Sequence, residues 1–565
     1  MPTARSWHER SDTTFPADFR RTSTGPVLGS AAPKEKSMPE QSQSTAGVAI
    51  AAPHTAAVDA ARTIVEAGGN AVDAAVAAAA ALTVVYPHMC SVGGDVIALL
   101  RRSDGSTTCI NASGAYGSAA SVEQLFETIE TMPINGPLTV SVPGAVSGWA
   151  ALLDAGGSLP LTTVLSPAIS LAAEGFPASP GLVEMIELDR DALITDPGLR
   201  SRFFVDGHPI PVGHLVVQPE LARTLTDLAT DGLDSFYRGH TADRFAAGLK
   251  KLDVPVSRED LDRHRPSVEE PLVRVFDGFS VATAPPNSQG YTLIRSLGAA
   301  LSGSTSAGDV DAGVLAEIFY DSDEHRDTYL ADPRCATVEF DDQLTPAGFA
   351  AIHEAAAARA AGAKRQTSTA SPRPGGDTVG IAVVARDGTA VSLIQSVFHS
   401  FGAQILEPDT GLVLHNRAAF FTLDAASPNR VEAGKRPAHT LVPVIVDWAD
   451  GAVSAHSTMG GKAQSQIHTQ LMLRALSGFD PQQTVSAPRF VVGGLEAGTP
   501  NGSVLIESTL EASAVAQISR TVFTVKEGTE LDSNAGHSMV TRVRADGTLE
   551  AGADPRSDGG VWVTE

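Results

Sequence analysis

The sequence predicts a layered fold of mixed helix and strand, α/β (α+β), and three observations carry that prediction. Short apolar, β-branched runs alternate with longer runs of helical period from Gly47 onward. Two pairs of strand-like runs are separated by Asp-Gly turns, at Asp104-Gly105 and Asp387-Gly388, the punctuation of a hairpin. Hydrophobic residues make up 43% of the chain and charged residues only 19%, enough apolar material for a large core. By length alone, 565 residues would divide into roughly three or four domains.

Taken in order, Gly47 to Pro53 is an apolar strand, Thr55 to Glu66 has helical period, and Gly68-Gly69-Asn70 breaks it. Ala71 to Thr83 is an Ala-rich helix with almost nothing polar on it, so it is expected to be buried all round. A glycine-bearing loop, Pro87 to Asp95, leads into strands at 96–100 and 107–111. Helices are expected around Pro143 to Trp149 and Leu165 to Gly175, with amphipathic helix from Leu221 to Leu252. Leu272 to Ala284 alternates as one strand, and helices follow at 291–301 and 311–330. Within the second of these, Asp323 to Asp327 reads as a solvated charged face. Ala351 to Gly376 loses amphipathic period and reads as a linker. Strands are then expected at 379–384, 389–396, 411–414 and 440–448, and a helix at 463–477.

A formal net charge of -24 argues against nucleic acid, whose phosphates need clustered Lys and Arg. Three scattered cysteines give no disulfide framework and favour a reducing, cytoplasmic setting. Residues 1–46 are polar, without an apolar secretory core, and read as a disordered extension. The longest apolar run, Ala74 to Tyr86, is short of the ~20 residues that span a bilayer, so no membrane partner is expected. No metal-ligand spacing or nucleotide loop is found, and no cofactor is expected.

Seven stretches, in this order, together resemble the gamma-glutamyltranspeptidase (gamma-glutamyltransferase) family of N-terminal-nucleophile (Ntn) hydrolases. They are Glu66 to Ala75 (EAGGNAVDAA), Val142 to Val146 (VPGAV), Gly376-Asp377-Thr378-Val379, Gly434-Lys435-Arg436-Pro437, Met459-Gly460-Gly461, Ala487 to Phe490 (APRF) and Ala553 to Ser557 (ADPRS). The resemblance implies a four-layer αββα sandwich and a proenzyme that cuts itself between Asp377 and Thr378. That would give a large subunit, 47–377 behind the extension, and a small catalytic subunit, 378–565, joined as a heterodimer that can oligomerise further. It also implies Thr378 as nucleophile, Ser396 as its hydroxyl partner and Gly460-Gly461 as the oxyanion hole. The chemistry suits these residue types. A threonine hydroxyl needs a base, and a freed α-amine, with a reference pKa of ~7.7–8.0, is one. The intact Asp377-Thr378 amide has no basic lone pair, so cutting must precede catalysis.

The same resemblance marks departures. Where the family holds the γ-glutamyl α-carboxylate with an arginine, the segment Ile110 to Tyr116 has none, and where the family's oxamate amidohydrolase branch usually has an arginine just after its Ser-Gly pair, Ala115 stands here. The family's acidic pocket residue falls on Phe420, a pocket asparagine on Phe398, and a frequent histidine on Gly380. Gly376 to Val379, Leu393 to Ser396 and Asn416-Arg417 look more like a bacterial side branch that includes oxamate amidohydrolase. Arg417, His439 and Thr440 remain as polar candidates for binding substrate. The expected activity is a self-processing amidohydrolase or acyltransferase, cleaving a small amide other than glutathione through an acyl-threonine. Two alternatives stay open: a genuine gamma-glutamyl hydrolase or transferase, and a binding protein that no longer cuts itself.

Overall fold

The computed structural model describes residues 47–118, 127, 129–362, 377–493 and 502–565. The expected extension at 1–46, and residues 363–376 of the expected linker, lie outside the described residues. Two large sheets organise the rest. Their strands, in chain order, are β1 (Val48–Ala52), β2 (Asp95–Arg101), β3 (Thr107–Asn111), β4 (Ser267–Glu269), β5 (Leu272–Phe276), β6 (Phe279–Thr283) and β7 (Asp377–Ala385). They continue with β8 (Ala390–Phe398), β9 (Val444–Trp448), β10 (Val453–Thr458), β11 (Ser538–Val543), β12 (Leu549–Ala553) and β13 (Gly560–Val563). The first sheet has the order β13-β1-β7-β8-β2-β3-β4 and the second β12-β11-β10-β9-β6-β5.

Alternation along the strands sorts side chains into layers. Val379, Ile381 and Val383 of β7 point into a cluster shared with the helices Thr55–Glu66, Ala71–Val85 and Ala145–Gly156. Ala382 and Val384 point the other way and meet Ile445, Ala455 and Met539 of the second sheet. The far face of that sheet packs Val444 and Val446 against Leu293, Leu297, Ile318, Phe319 and Met472, which lie on the helices Gly290–Ser302, Ala312–Tyr329 and Gln464–Leu476. The result is the αββα sandwich that the resemblance implied. The helix Ala71–Val85 is buried throughout, as its composition required, and a capping box between Asn70 and Asp73 starts it.

The structure corrects several element boundaries. The single strand expected over 272–284 is a hairpin, β5 and β6, that turns at Asp277-Gly278, where Gly278 has φ 83. The helix expected over 221–252 is interrupted: Pro219–Asp231 ends at Gly232 and His240–Lys251 begins after Gly239. The expected linker starts too early, because Pro346–Ala360 is helix, capped by Thr345 and seated through Phe349, Ile352 and Ala356. Of the strand expected over 440–448 only Val444–Trp448 forms. The charged stretch 323–327 is no solvated face: Arg326 is buried between Asp323 and Asp327, and Asp327 also pairs with Lys462.

Candidate active site

The N-terminal end of β7 and the C-terminal end of β8 meet at an irregularity. Asp377 pairs with Phe398 and Val379 with Gln395, so Ser396 and Val397 together face the single residue Thr378. A bulge of this kind re-aims side chains. By alternation, Thr378 and Ser396 face the second sheet, in line with Ala382 and Ile394, and so does Asp95, which pairs with Ser396 in the β8–β2 ladder. Thr378 is 1% exposed. Its Oγ1 donates to Ser396 Oγ at 3.1 Å, and Ser396 Oγ donates onward to the Asp377 carbonyl at 2.6 Å. The Phe398 amide donates to the same Ser396 Oγ at 2.8 Å. One donor and two acceptor sites are thereby all used, so the Ser396 hydroxyl is fixed in direction.

Asp377 is half-buried, and its carboxyl is pushed up to about 7 by burial and by the nearby Asp189 carboxylate. On the other flank, Asp95 Oδ2 accepts from His439 Nε2 at 3.2 Å and lies 3.2 Å from His415 Nδ1. Burial works against its ionisation, but the two imidazoles outweigh it and hold the carboxyl well below the usual range. His439 is lowered to about 4 by burial, with Arg417 adding to the effect, so near neutral pH it is an uncharged donor. Its Nδ1 then accepts from the Leu441 amide at 3.4 Å.

Gly460 and Gly461 follow β10, which runs against β7 across the sandwich. Gly460 has φ 147, and a Cβ there would lie 2.4 Å from Ile467 Cδ1; Gly461 has φ 49. Gln289 Nε2 donates to the carbonyls of both Gly461 and Thr440, each at 2.9 Å, and Arg326 Nη1 donates to the Lys462 carbonyl at 3.1 Å. The planes that carry the Gly460 and Gly461 amides are held separately: Thr458 Oγ1 donates to the Met459 carbonyl at 2.7 Å and the Ala463 amide to the Gly460 carbonyl at 2.8 Å. Gly380, where a histidine was noted as frequent, sits where the sheets approach: a Cβ would be 2.8 Å from the Ser457 backbone.

The remaining candidates gather beside this centre. Arg417 stacks over Phe398 at 3.8 Å and donates to Thr440 Oγ1 at 3.3 Å. Phe420 meets Phe398 edge-on at 5.6 Å. Ala115 accepts from the Val142 amide through its carbonyl, and the neighbouring Gly114 amide donates to Asp95 Oδ1 at 3.3 Å. His439 touches Asp95 directly. Sequence reasoning missed Asp95, His415, Gln289 and Arg326. Asp95 closes the Gly93-Gly94-Asp95 loop and His415 opens the His-Asn-Arg run, the two local signals that were available.

Comparisons with known proteins find relatives along most of the chain. The family described as Gamma-glutamyltranspeptidase matches residues 57–564. An oxamate amidohydrolase proenzyme of Klebsiella pneumoniae is 34% identical over 531 residues, covering 91% of this chain and 98% of the relative. A glutathione hydrolase-like proenzyme of Bacillus subtilis is 33% identical over 521 residues, covering 90% and 97%. Among solved structures, a cephalosporin acylase from Bacillus halodurans superposes with a TM-score of 0.79 at 28% identity, covering 94% of this chain and 99% of that one. Its relatives are thus proenzymes and acylases of the Ntn amide-hydrolase type, and this chain belongs to the gamma-glutamyltranspeptidase family.

Proposed function

We propose that the protein is a proenzyme that cuts itself between Asp377 and Thr378 and then hydrolyses a small amide, with Thr378 as nucleophile. The observation that carries this reading is the hydroxyl relay: Thr378 Oγ1 to Ser396 Oγ to the carbonyl of the bond to be cut. In the precursor, Thr378 Oγ1 adds to the Asp377 carbonyl carbon. The oxygen that becomes negative is the one Ser396 already holds by a hydrogen bond, which strengthens as charge develops. The C–N bond breaks, its nitrogen takes the hydroxyl proton, and an ester remains. Water hydrolyses that ester, leaving the Asp377 carboxylate and a free Thr378 amine.

The amine then serves as the base that the precursor lacks. It takes the Thr378 Oγ1 proton as the oxygen attacks the substrate amide. The Gly460 and Gly461 amides are the proposed donors to the oxyanion, and the departing amine carries the proton away. An acyl-threonine is left, which water opens to the acid. Relatives are named for oxamate, glutathione and cephalosporin substrates. Ala115, Phe420 and Gly380 supply no clamp for a γ-glutamyl head, which favours a small amide other than glutathione.

A denaturing gel tests the cut. Wild-type protein of 58.5 kDa is expected to give two fragments, the smaller one beginning at Thr378, while Thr378→Ala stays one band. Identical single bands for both proteins would refute the proposal. Turnover of a γ-glutamyl anilide in preference to oxamate or neutral acyl amides would refute the substrate part alone.

A further inference from the structure

Arg417 is 1% exposed, yet no carboxylate among the described residues comes within ion-pair distance of it. Nη2 reaches Thr440 Oγ1 at 3.3 Å, while Nη1 is buried without a hydrogen-bond partner. Its flat face rests on the Phe398 ring at 3.8 Å, which leaves the donor edge of the fork for something else. The carboxylate whose charge acts on it is Asp95, already shared between His439, His415 and the Gly114 amide. Burial lowers the guanidinium to about 9 and Asp95 offsets only part of that. A charge buried with one nitrogen unpaired is costly to keep, and an arriving anion removes the cost.

The surroundings narrow the anion's chemistry. Phe398 joins the guanidinium to the reacting centre, because its amide is bound by Ser396 Oγ and its backbone pairs with Asp377. Phe398 also holds φ 82, a backbone position a non-glycine residue keeps only under constraint. Beside the fork stand the rings of Phe398 and Phe420, and Lys462 Nζ already lies 5.5 Å over Phe420, so an ammonium group on the ligand would meet a second cation there. The acyl group stays bound while the amine leaves and water enters, so the buried end of the site belongs to the acyl half.

We propose that Arg417 anchors a carboxylate on the acyl half of the substrate, which makes the substrates short amides of dicarboxylic acids that carry no amino group. This rests on the reading of Thr378 as nucleophile. For oxamate, Thr378 Oγ1 bonds to the amide carbon, the C–N bond breaks and ammonia leaves with the proton. Water then releases oxalate from the ester.

Steady-state kinetics with oxamate, malonamate and succinamate, against the neutral oxamide, test the inference. Wild type is expected to favour the best carboxylate-bearing amide by at least ~100-fold in kcat/KM over oxamide. Arg417→Gln, checked on a gel for processing, is expected to erase that preference mainly through KM, with Arg417→Lys in between. Calorimetry with oxalate gives a readout that needs no turnover: wild type binds, and Arg417→Lys binds at least ~10-fold more weakly. Processed enzyme that prefers neutral amides, or that binds oxalate equally with and without Arg417, would overturn the anchor and leave the Thr378 chemistry standing. A protein that binds oxalate through Arg417 but cleaves no amide would instead overturn the nucleophile reading.

Discussion

Ser396 makes the clearest case at the scale of one residue. Its hydroxyl accepts from Thr378 and from the Phe398 amide and donates to the Asp377 carbonyl, so all of its hydrogen-bonding capacity is used, two of the three bonds on the residues that flank the proposed cut. Ser396→Ala removes an electrophilic donor whose loss in comparable oxyanion sites slows reaction ~100-fold or more. Processing of Ser396→Ala is therefore expected to slow by about that factor, read as a time course of the two bands after purification. Ser396→Thr keeps the hydroxyl and is expected to restore most of the rate. Unchanged processing in Ser396→Ala would remove the hydroxyl relay from the proposed mechanism. Thr378, Ser396 and the glycine pair could be proposed as a site because seven short stretches in order resemble one family, and the structure brings Thr378 and Ser396 into hydrogen-bond contact. Asp95 was not, because His439, which gives it meaning, is 344 positions away. Arg417 was legible only as a polar candidate. That Phe398 carries its face, where the sequence suggested only a lost asparagine, becomes visible when the two side chains meet.

Between elements, Asp332 is a clamp. It follows the helix Ala312–Tyr329, is fully buried, and accepts from Arg334 and from the Arg436 amide at 2.9 Å, with Arg436 Nη2 3.5 Å away. Burial alone would raise its carboxyl, but Arg334 and Arg436 outweigh burial and lower it to about 2. A carboxyl lowered from 3.8 by folding stabilises the fold above 3.8, and the contribution is lost as pH falls through about 2. Asp332→Asn is accordingly expected to be less stable than wild type to denaturant at pH 7, with the gap closing as pH drops from about 4 towards 2. A gap that is constant across that range would show the clamp to be packing rather than charge. Element recognition failed in the sequence for similar reasons of context. Asp277-Gly278 is a turn signal hidden inside an apolar run, and the two-residue turn slips the alternation by one position, so that Phe276 and Phe279 pair on the same face. The helix Pro346–Ala360 lacks a clean stripe because its neighbours Gly290–Ser302 and Ala312–Tyr329 cover it on two sides. Arg326 looked solvated because its partners Asp323 and Asp327 are one helical turn and one residue away, a pattern shared by exposed helices.

At the scale of the molecule, the proposed cut would fall inside a sheet rather than between domains. Residues up to Asp377 supply β1, β2, β3 and β4 of the first sheet, and residues from Thr378 onward supply β7, β8 and β13. In the order β13-β1-β7-β8-β2-β3-β4, β1 is flanked on both sides by strands of the other fragment, and β8 ladders with β2 over seven residue pairs. The second sheet is shared as well, through the β6–β9 ladder. Pulling the fragments apart would strip both sheets of paired backbone and expose all three apolar layers, so neither fragment has a complete core of its own. Fully processed protein is therefore expected to elute from a sizing column in native buffer with both fragments together at 1:1. It should unfold in a single transition and release separate fragments only in concentrated denaturant. Elution of a free small fragment from native buffer would contradict the interleaved sheets and, with them, the assignment of the cut to the edge of β7.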